Sequence, residues 1–382
     1  MNIILLCRNL RVAGGQVIGL NFCNSLKDLG IKHRILIIAP PNAGYQDIEL
    51  PPNSRLHIYR GGNKSIAQWW FDTFVAPQIA KEFKADIVFA MGNIGLINPP
   101  CDQAILFHKS QLIYPPVHYA NETLYEKIKN NLYKIRLKKC LKKTKLVFCQ
   151  TPIARDRFHE EFKFPKNKIE IMHNAVSKLS IPLKNKNKKP KIFNGKKYYN
   201  LFFLTKYYAH KNLEILISLF RKHIECLHDV RCIVTIEANQ HVNAPRFLKD
   251  IDKYELKEHI VNVGQLSQDE LAGYFYHSDA LFFPTILESF SGTYLEAMHF
   301  GLPILTSDLD FGRYICNDAA IYFDPWDLDS ILSAINRLRN DSRLQKELSR
   351  RGKERLCCFY SDWNHITGNV IKELEKLKKR II

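Results

Sequence analysis

Residues 284–297 read Pro284-Thr285-Ile286-Leu287-Glu288-Ser289-Phe290-Ser291-Gly292-Thr293-Tyr294-Leu295-Glu296-Ala297 and set two carboxylates eight positions apart. Ser289, Ser291, Gly292 and Thr293 suit a loop, whereas Leu295, Ala297 and Met298 are good helix formers. The segment is therefore predicted to tip from loop into helix, with Glu296 near the helix start. The first turn of a helix presents unpaired backbone N–H groups and partial positive charge, which attract phosphate. A carboxylate on either side of that turn suits a ligand whose hydroxyls flank a diphosphate. Were all eight steps helical, the two backbone positions would stand roughly 12 Å apart at ~1.5 Å per residue. A carboxylate pair that hydrolyses a glycosidic bond works at about 5 to 9.5 Å, so the spacing leans away from that chemistry. Two solvated glutamates on a surface helix are the plain alternative for the pair taken alone.

Outward from this stretch, apolar strand-like runs alternate with amphipathic helical patterns. The runs are 3–7, 34–39, 86–91, 104–107 and 146–149, then 200–204, 232–236, 280–284 and 303–305. This alternation predicts an α/β fold with parallel sheets covered by helices. A chain of 382 residues is long enough for two domains, each with its own core. The stretch Ser180 to Lys197 is rich in lysine, asparagine and proline and is the best linker. The expected division is a first domain at 1–178, a linker at 179–197 and a second domain at 198–360.

Two further segments carry possible chemistry. A buried strand from Tyr199 to Thr205 leads into Lys206-Tyr207-Tyr208-Ala209-His210-Lys211-Asn212-Leu213 and an apolar-periodic helix. Two cations at a strand-to-helix turn can bind a diphosphate and offset charge that builds on it, although lysines are common in a chain with 56 Lys and Arg. At the amino end, the strand Asn2–Cys7 leads through Arg8–Ala13 to Gly14-Gly15. A glycine pair lets backbone N–H groups approach a phosphate; it is not the dinucleotide G-x-G-x-x-G fingerprint.

Taken together, these segments resemble retaining glycosyltransferase family 4, also described as glycosyl transferases group 1. Its signature reads roughly P-S-x-x-E-G-F-G-x-x-x-L-E-A, then G-x-P-V-V-x-S-D. Glu288, Phe290, Leu295, Glu296, Ala297, Gly301, Pro303, Ser307 and Asp308 match it, while Ser289 and Ser291 replace two family glycines. Lys211 falls on a family lysine and Lys206 on a family arginine. Lysine keeps the charge but loses the bidentate fork of arginine. Gly14 and Gly15 fall in the family's glycine-rich first loop, and His108, after Ile105-Leu106-Phe107, falls where the family carries an active-site histidine. Val263-Gly264-Gln265-Leu266 resembles a turn beside the base. The family's G-x-G after the second strand of its second domain is missing at 237–240.

The resemblance implies a GT-B fold, two Rossmann-like domains with parallel sheets facing across a cleft, the C-terminal helix 361–382 joining the first domain. It implies transfer of a sugar from a nucleoside-diphosphate sugar to a hydroxyl acceptor, lipid-linked or a surface glycan, with anomeric retention. Glu288 then faces the donor sugar and Glu296 the ribose. Lys206 and Lys211 offset charge on the leaving diphosphate, and His108 lines the acceptor pocket. Gly14 and Gly15 approach the diphosphate; Gln265, Leu266, Phe290, Ser291, Gly292 and Thr293 complete the donor site. No metal or other cofactor is expected. Asp308-Leu309-Asp310 spells a D-x-D motif, but Asp308 already belongs to the matched S-D. Alternatives are a non-hydrolysing nucleotide-sugar epimerase of the same fold and a non-catalytic basic protein that binds lipid or nucleic acid.

Charge adds a partner class. The chain carries a net charge of +18, and residues 127–145 hold nine Lys or Arg and no acid. With Leu132, Ile135, Leu137 and Leu141 as a partial apolar face, this predicted helix is expected to rest on an anionic membrane surface. No helix-turn-helix, zinc-finger or RNP-like pattern supports nucleic acid as the partner. The ten scattered cysteines lack C-x-x-C spacing and suit a reducing compartment. No signal peptide or membrane-spanning run is read. The expected location is the cytoplasm, peripheral to the inner face of the membrane.

Overall fold

The computed structural model describes residues 1–61, 65–119, 122–176, 189–195, 197–359 and 362–379. The chain divides into two compact units. The first comprises Met1–Tyr114, Thr123–Ala175 and Tyr360–Ile382, and the second Pro115–Glu122 and Val176–Phe359. Much of the linker expected at 179–197 lies outside the described residues. Its later part, Lys191–Phe193, forms a 3-10 turn, with Phe193 packed 5.8 Å from Tyr274 in the second unit.

The first unit is built on seven parallel strands: β1 (Asn2–Leu6), β2 (Arg34–Ala39), β3 (Ser54–Ile58), β4 (Ile87–Ala90), β5 (Asp102–Phe107), β6 (Leu146–Cys149) and β7 (Ile169–Ile171). Their order is β3-β2-β1-β4-β5-β6-β7. The second unit carries β8 (Tyr199–Phe203), β9 (Val230–Val234), β10 (Ile260–Asn262), β11 (Ala280–Phe283), β12 (Ile304–Ser307) and β13 (Ala320–Phe323), in the order β10-β9-β8-β11-β12-β13. Both sheets thus start at a central strand, step outward one way, then reverse past it, the order of a doubly wound dinucleotide-binding fold. Central strands such as Ile3-Ile4-Leu5-Leu6 and Ala280-Leu281-Phe282-Phe283 are buried along their length. Helices cover both faces of such sheets, so their strands read as continuous apolar runs.

Beyond β7 the first unit ends at Ala175, and it takes up the chain again for its last helix, Trp363–Lys379. That helix packs along Ala13–Asp28. Trp363, Ile366, Val370 and Leu374 recur at helical spacing and enter the core around β1 and β4. Polar ties hold the exposed side: Glu375 lies 2.7 Å from His33, and Lys378 donates to Asp86 at 2.8 Å.

The helix Leu124–Leu141 starts at a capping box: Thr123 accepts from the Glu126 N–H, and Glu126 accepts from the Thr123 N–H at 2.8 Å. Its expected apolar face is split. Leu137 and Leu141 turn inward and are buried, whereas Leu132 and Ile135 point to solvent. Among the described residues no helix is long and apolar enough to cross a membrane.

Trp363 is almost fully buried and its indole N–H has no hydrogen-bond partner among the described residues. Its value is therefore volume. Trp363→Ala is expected to destabilise the first unit by about 3–5 kcal/mol, whereas Trp363→Phe, which drops an unbonded donor, is expected to lose less than about 1.5 kcal/mol. Denaturant titration of the full-length variants reads the difference.

Candidate functional site

In the second sheet the order reverses between β8 and β11, and β11 pairs with β8 through Ala280↔Leu201 and Leu281↔Phe202. Loops at the carboxyl ends of two such strands border the crevice where parallel sheets bind ligands. Here those loops are Leu204–Lys211 and Pro284–Ser291. They are stitched together: the Ile286 N–H donates to the His210 carbonyl at 2.9 Å, and the Thr285 hydroxyl lies 3.1 Å from the same oxygen.

This stitching brings Lys211 onto Glu288. The ammonium forms an ion pair with the carboxylate, and both side chains are largely buried, at 13 and 12% exposure. Thr285 Oγ1 reaches the same carboxylate oxygen at 3.2 Å. Lys211 Nζ also sits 4.5 Å from the centroid of Phe283, at the end of β11, where the ring's negative face favours a cation. Lys206 leaves the end of β8 half-buried, and its side chain makes no hydrogen bond or ion pair among the described residues.

The helix Gly292–Phe300 begins directly after Glu288 and its loop. Ser291 precedes it in extended conformation without a side-chain cap, so its hydroxyl does not occupy the first-turn N–H groups. A side chain at Gly292 would meet nothing within 4 Å. Thr293 and Glu296 are half-buried, Glu296 one turn into the helix. Tyr294 fixes the helix to the sheet: its hydroxyl lies 2.7 Å from Thr306 Oγ1, which donates to the Phe283 carbonyl at 3.0 Å. The Phe290 ring is buried edge-on against Phe359 at 5.6 Å and anchors the loop in the core. Gln265 is exposed and Leu266 half-buried after Gly264, whose φ of +71° explains the glycine there.

Where the G-x-G is missing, side chains do the stitching. Gln240 Oε1 accepts the Tyr207 N–H at 2.8 Å, and Thr235 Oγ1 bridges the N–H and carbonyl of Thr205 at 3.0 and 2.7 Å. Asp308 of the D-x-D spelling takes both arms of Arg313, at 2.6 and 2.7 Å, and those bonds hold its carboxyl below the usual carboxylate range.

The first unit repeats the plan at β1 and β4. Gly14 and Gly15 lie in the first turn of Ala13–Asp28, just after the β1 loop. A Cβ on Gly15 would sit 3.3 Å from Leu10 and 4.0 Å from His108 Nε2, whereas Gly14 is open. His108, at the end of β5, is held by Asn93: Asn93 Nδ2 lies 3.0 Å from His108 Nε2, and Asn93 Oδ1 accepts the His108 N–H at 2.6 Å. Donation onto Nε2 leaves the proton of the neutral ring on Nδ1. Burial, then the neighbouring Lys109, push the imidazole pKa down to about 4. The ring is therefore neutral at physiological pH.

Three residues of these sites were not read from the sequence. Asn93 adopts φ +69° after β4, a conformation asparagine tolerates; Gly92-Asn93 after an apolar run was the available signal. Asp72 is fully buried beneath the first loop, accepting from Arg8 Nε at 2.7 Å and Arg136 at 3.0 Å; a lone acid inside Trp69-Trp70-Phe71-Asp72-Thr73-Phe74-Val75 was its signal. His118 Nδ1 meets the Ile286 carbonyl at 2.6 Å and had none. The expected donor-site residues gather in the second unit, apart from Gly14 and Gly15, which lie with His108 in the first.

Two parallel sheets of this order, with polar residues collected at each reversal, define an α/β protein of the GT-B type. Solved structures agree. Sucrose-phosphate synthase from Thermosynechococcus elongatus matches 99% of this chain and 99% of its own, at 15% identity and a TM-score of 0.77. HepE of Anabaena, solved in complex with UDP and glucose, matches 98% of this chain and 100% of its own, at 13% identity and a TM-score of 0.75. Residues 12–178 match the model of Glycosyltransferase Family 4 and residues 184–355 that of Glycosyl transferases group 1. The O-antigen chain mannosyltransferase RfbU of Salmonella typhimurium is 23% identical over 274 residues, 71% of this chain and 70% of that protein. The chain belongs to the glycosyltransferase family that these two models describe, and it is a glycosyltransferase. The comparisons do not favour an epimerase or a non-catalytic binder.

The depressed pKa of His108 has a defined sign. In the unfolded chain the ring takes up its proton near 6.5, in the fold only near 4. The stability its neutral form contributes is complete above about 6.5 and is lost as pH falls from there towards 4. NMR titration of the His108 ring is expected to show a midpoint near 4 and an Nδ1–H tautomer; a midpoint near 6.5 would remove this assignment.

Proposed function

We propose that the protein moves a sugar from a nucleoside-diphosphate sugar to a hydroxyl of a glycan or lipid-linked acceptor, with retention of anomeric configuration. The observation that carries this reading is the Lys211–Glu288 pair at the β8/β11 reversal, beside the uncapped start of Gly292–Phe300. A cation and free N–H groups suit a diphosphate, and a carboxylate next to them suits sugar hydroxyls. The reported UDP and glucose complex of HepE supports a nucleotide-sugar donor. The name of RfbU supports a polysaccharide acceptor of the bacterial surface.

In this reading Glu288 orients the donor sugar and Glu296 accepts from the ribose hydroxyls. Gln265 and Leu266 lie beside the base, and Ser291, Gly292 and Thr293 present backbone N–H groups to the diphosphate. The bond from the anomeric carbon to the diphosphate oxygen breaks, and its electron pair passes to that oxygen. Lys206 and Lys211 offset the growing charge. The acceptor oxygen bonds to the anomeric carbon and its proton passes to the leaving phosphate, so no side chain is assigned as nucleophile. In the first unit, Gly14 and Gly15 are assigned to phosphate approach and His108 to the acceptor side, where a neutral ring can accept or donate a hydrogen bond. We assign no metal or other cofactor, because the two lysines supply the positive charge. An anionic membrane surface at the cytoplasmic face is assigned as partner of the basic helix Leu124–Leu141.

Thermal-shift titration against UDP-, GDP- and CMP-sugars tests the donor. One of them is expected to stabilise the protein by about 2.7 kcal/mol at a hundred times its Kd; no shift with any would sink the reading. Glu288→Ala and Lys211→Ala are each expected to reduce sugar transfer at least about tenfold, some 1.4 kcal/mol of barrier, while the protein stays folded. Glu288→Gln keeps the shape and a hydrogen-bond acceptor for Lys211 while it removes the negative charge, so it separates lost charge from lost packing. Unchanged turnover in these variants would undo the residue assignments, and an inverted product anomer by NMR would undo retention.

A further inference from the structure

Most of the exposed large hydrophobics described in the first unit lie on two elements that are distant in sequence. On the helix Leu124–Leu141, Leu124, Ile128, Leu132 and Ile135 fall at i, i+4, i+8 and i+11, a single stripe, and each is at least half exposed. Tyr125 widens it. The second element is the helix Ser65–Trp70 with the wide turn Phe71–Val75 that follows it. Its inward residues are Phe71, against Tyr59 at 4.6 Å, and Asp72. With those two inside, Trp70 and Phe74 face outward, 57 and 51% exposed, with Trp69 beside them.

Asp72 also joins the two elements. Its carboxylate takes Arg136 at 3.0 Å, and Arg136 sits on the helix next to Ile135 and one turn from Leu132. Exposed lysines border the stripe. Lys129, Lys139, Lys142 and Lys143 make no ion pair or hydrogen bond through their side chains among the described residues. The acids nearby are engaged: Glu161 with Lys134 at 2.7 Å, Asp72 with the two arginines, and Glu126 in the helix cap. Isolated exposed hydrophobics need no account, but a helical stripe of leucine and isoleucine on an element tied to an exposed tryptophan turn does.

We propose that this face, the stripe on Leu124–Leu141 together with Trp69, Trp70 and Phe74, docks on an anionic lipid bilayer. The proposal deepens the membrane assignment made above and rests on it. Apolar side chains enter the headgroup boundary to a depth of about 5–10 Å. Tryptophans occupy the level they favour at membrane interfaces, and the uncompensated lysines meet lipid phosphates. A second copy of this chain is the weaker occupant. A twofold contact joins the same patch of both copies, and here it would gather Lys129, Lys139, Lys142 and Lys143 of each copy at one interface.

Flotation of the full chain with lipid vesicles tests the proposal. Vesicles containing about 30% phosphatidylglycerol in phosphatidylcholine are expected to bind at least about tenfold more protein than pure phosphatidylcholine at low salt, and less as salt rises. Tryptophan emission should shift to the blue on binding. The double variant Trp70→Glu/Leu132→Glu, changed only at exposed positions, is expected to bind at least about tenfold more weakly with an unaltered melting temperature. Lys139→Glu/Lys142→Glu/Lys143→Glu should remove the preference for anionic lipid. No vesicle binding, or equal binding by the Trp70/Leu132 variant, would overturn the proposal. So would self-association by sedimentation that this variant abolishes, in the absence of vesicle binding. The donor thermal shift keeps the two readings apart: a variant that loses vesicles and retains the shift leaves sugar transfer standing. A wild-type chain that binds vesicles with no donor shift leaves only the docking surface.

Discussion

The Lys211–Glu288 ion pair is the interaction around which the second unit's site is organised. The two residues are far apart in sequence and meet only because β8 and β11 are neighbours in the sheet. Neither charge is well solvated, so each depends on the other. Removing one partner of such a pair typically costs about 3–5 kcal/mol because the remaining charge is stranded. That dependence explains the stitching around it. The Ile286 N–H and the Thr285 hydroxyl both bond to the His210 carbonyl, which fixes the separation of the two loops before any ligand arrives. Preorganised charge stabilises a developing anion without reorganising at the moment of reaction.

The first unit uses the same sheet order to different electrostatic effect. Its reversal point holds a histidine kept neutral by burial, with its ring nitrogen receiving a hydrogen bond from Asn93. Arg8 of the preceding loop is paired with the buried Asp72, while Arg11 lies over the Tyr59 ring and Lys109 follows the histidine. Burial alone would neutralise Asp72, and its carboxyl is pushed above the usual range even with two guanidiniums beside it. One fold therefore presents a lysine–carboxylate pair at the reversal point of one unit and a neutral imidazole at that of the other.

Most of the fold was legible in the sequence because central strands of parallel sheets are buried on both faces and read as unbroken apolar runs. Strands β1, β2, β4, β5, β6, β8, β9, β11 and β12 all fall on such runs. The apolar runs passed over β3, β7, β10 and β13. Ser54–Ile58 lies at a sheet edge with alternating half-buried and exposed positions, which a search for continuous apolar runs does not register. In the site, Lys211, Glu288 and Glu296 were legible through a local motif, since loop, helix start and carboxylates are contiguous. Asn93, Asp72 and His118 were not, because each acts on a residue distant in the chain and sequence spacing carries no trace of that contact. Phe290, matched by the same motif, also packs its ring into the core.

Helix Leu124–Leu141 shows how charge can conceal geometry. Its lysines dominate the sequence pattern and suggest a solvated or membrane-facing element, with the leucines taken as one face. In the fold those leucines belong to two faces. Leu137, Cys140 and Leu141 are buried, while Leu124, Ile128, Leu132 and Ile135 form a second stripe left exposed among the described residues. A helix that only capped the sheet would gain nothing from a second apolar stripe, and exposing one lowers solubility. Under the docking proposal the outer stripe meets the apolar layer of a bilayer and the lysines its anionic surface, while the buried Asp72 ties Arg136 of the helix to the tryptophan turn.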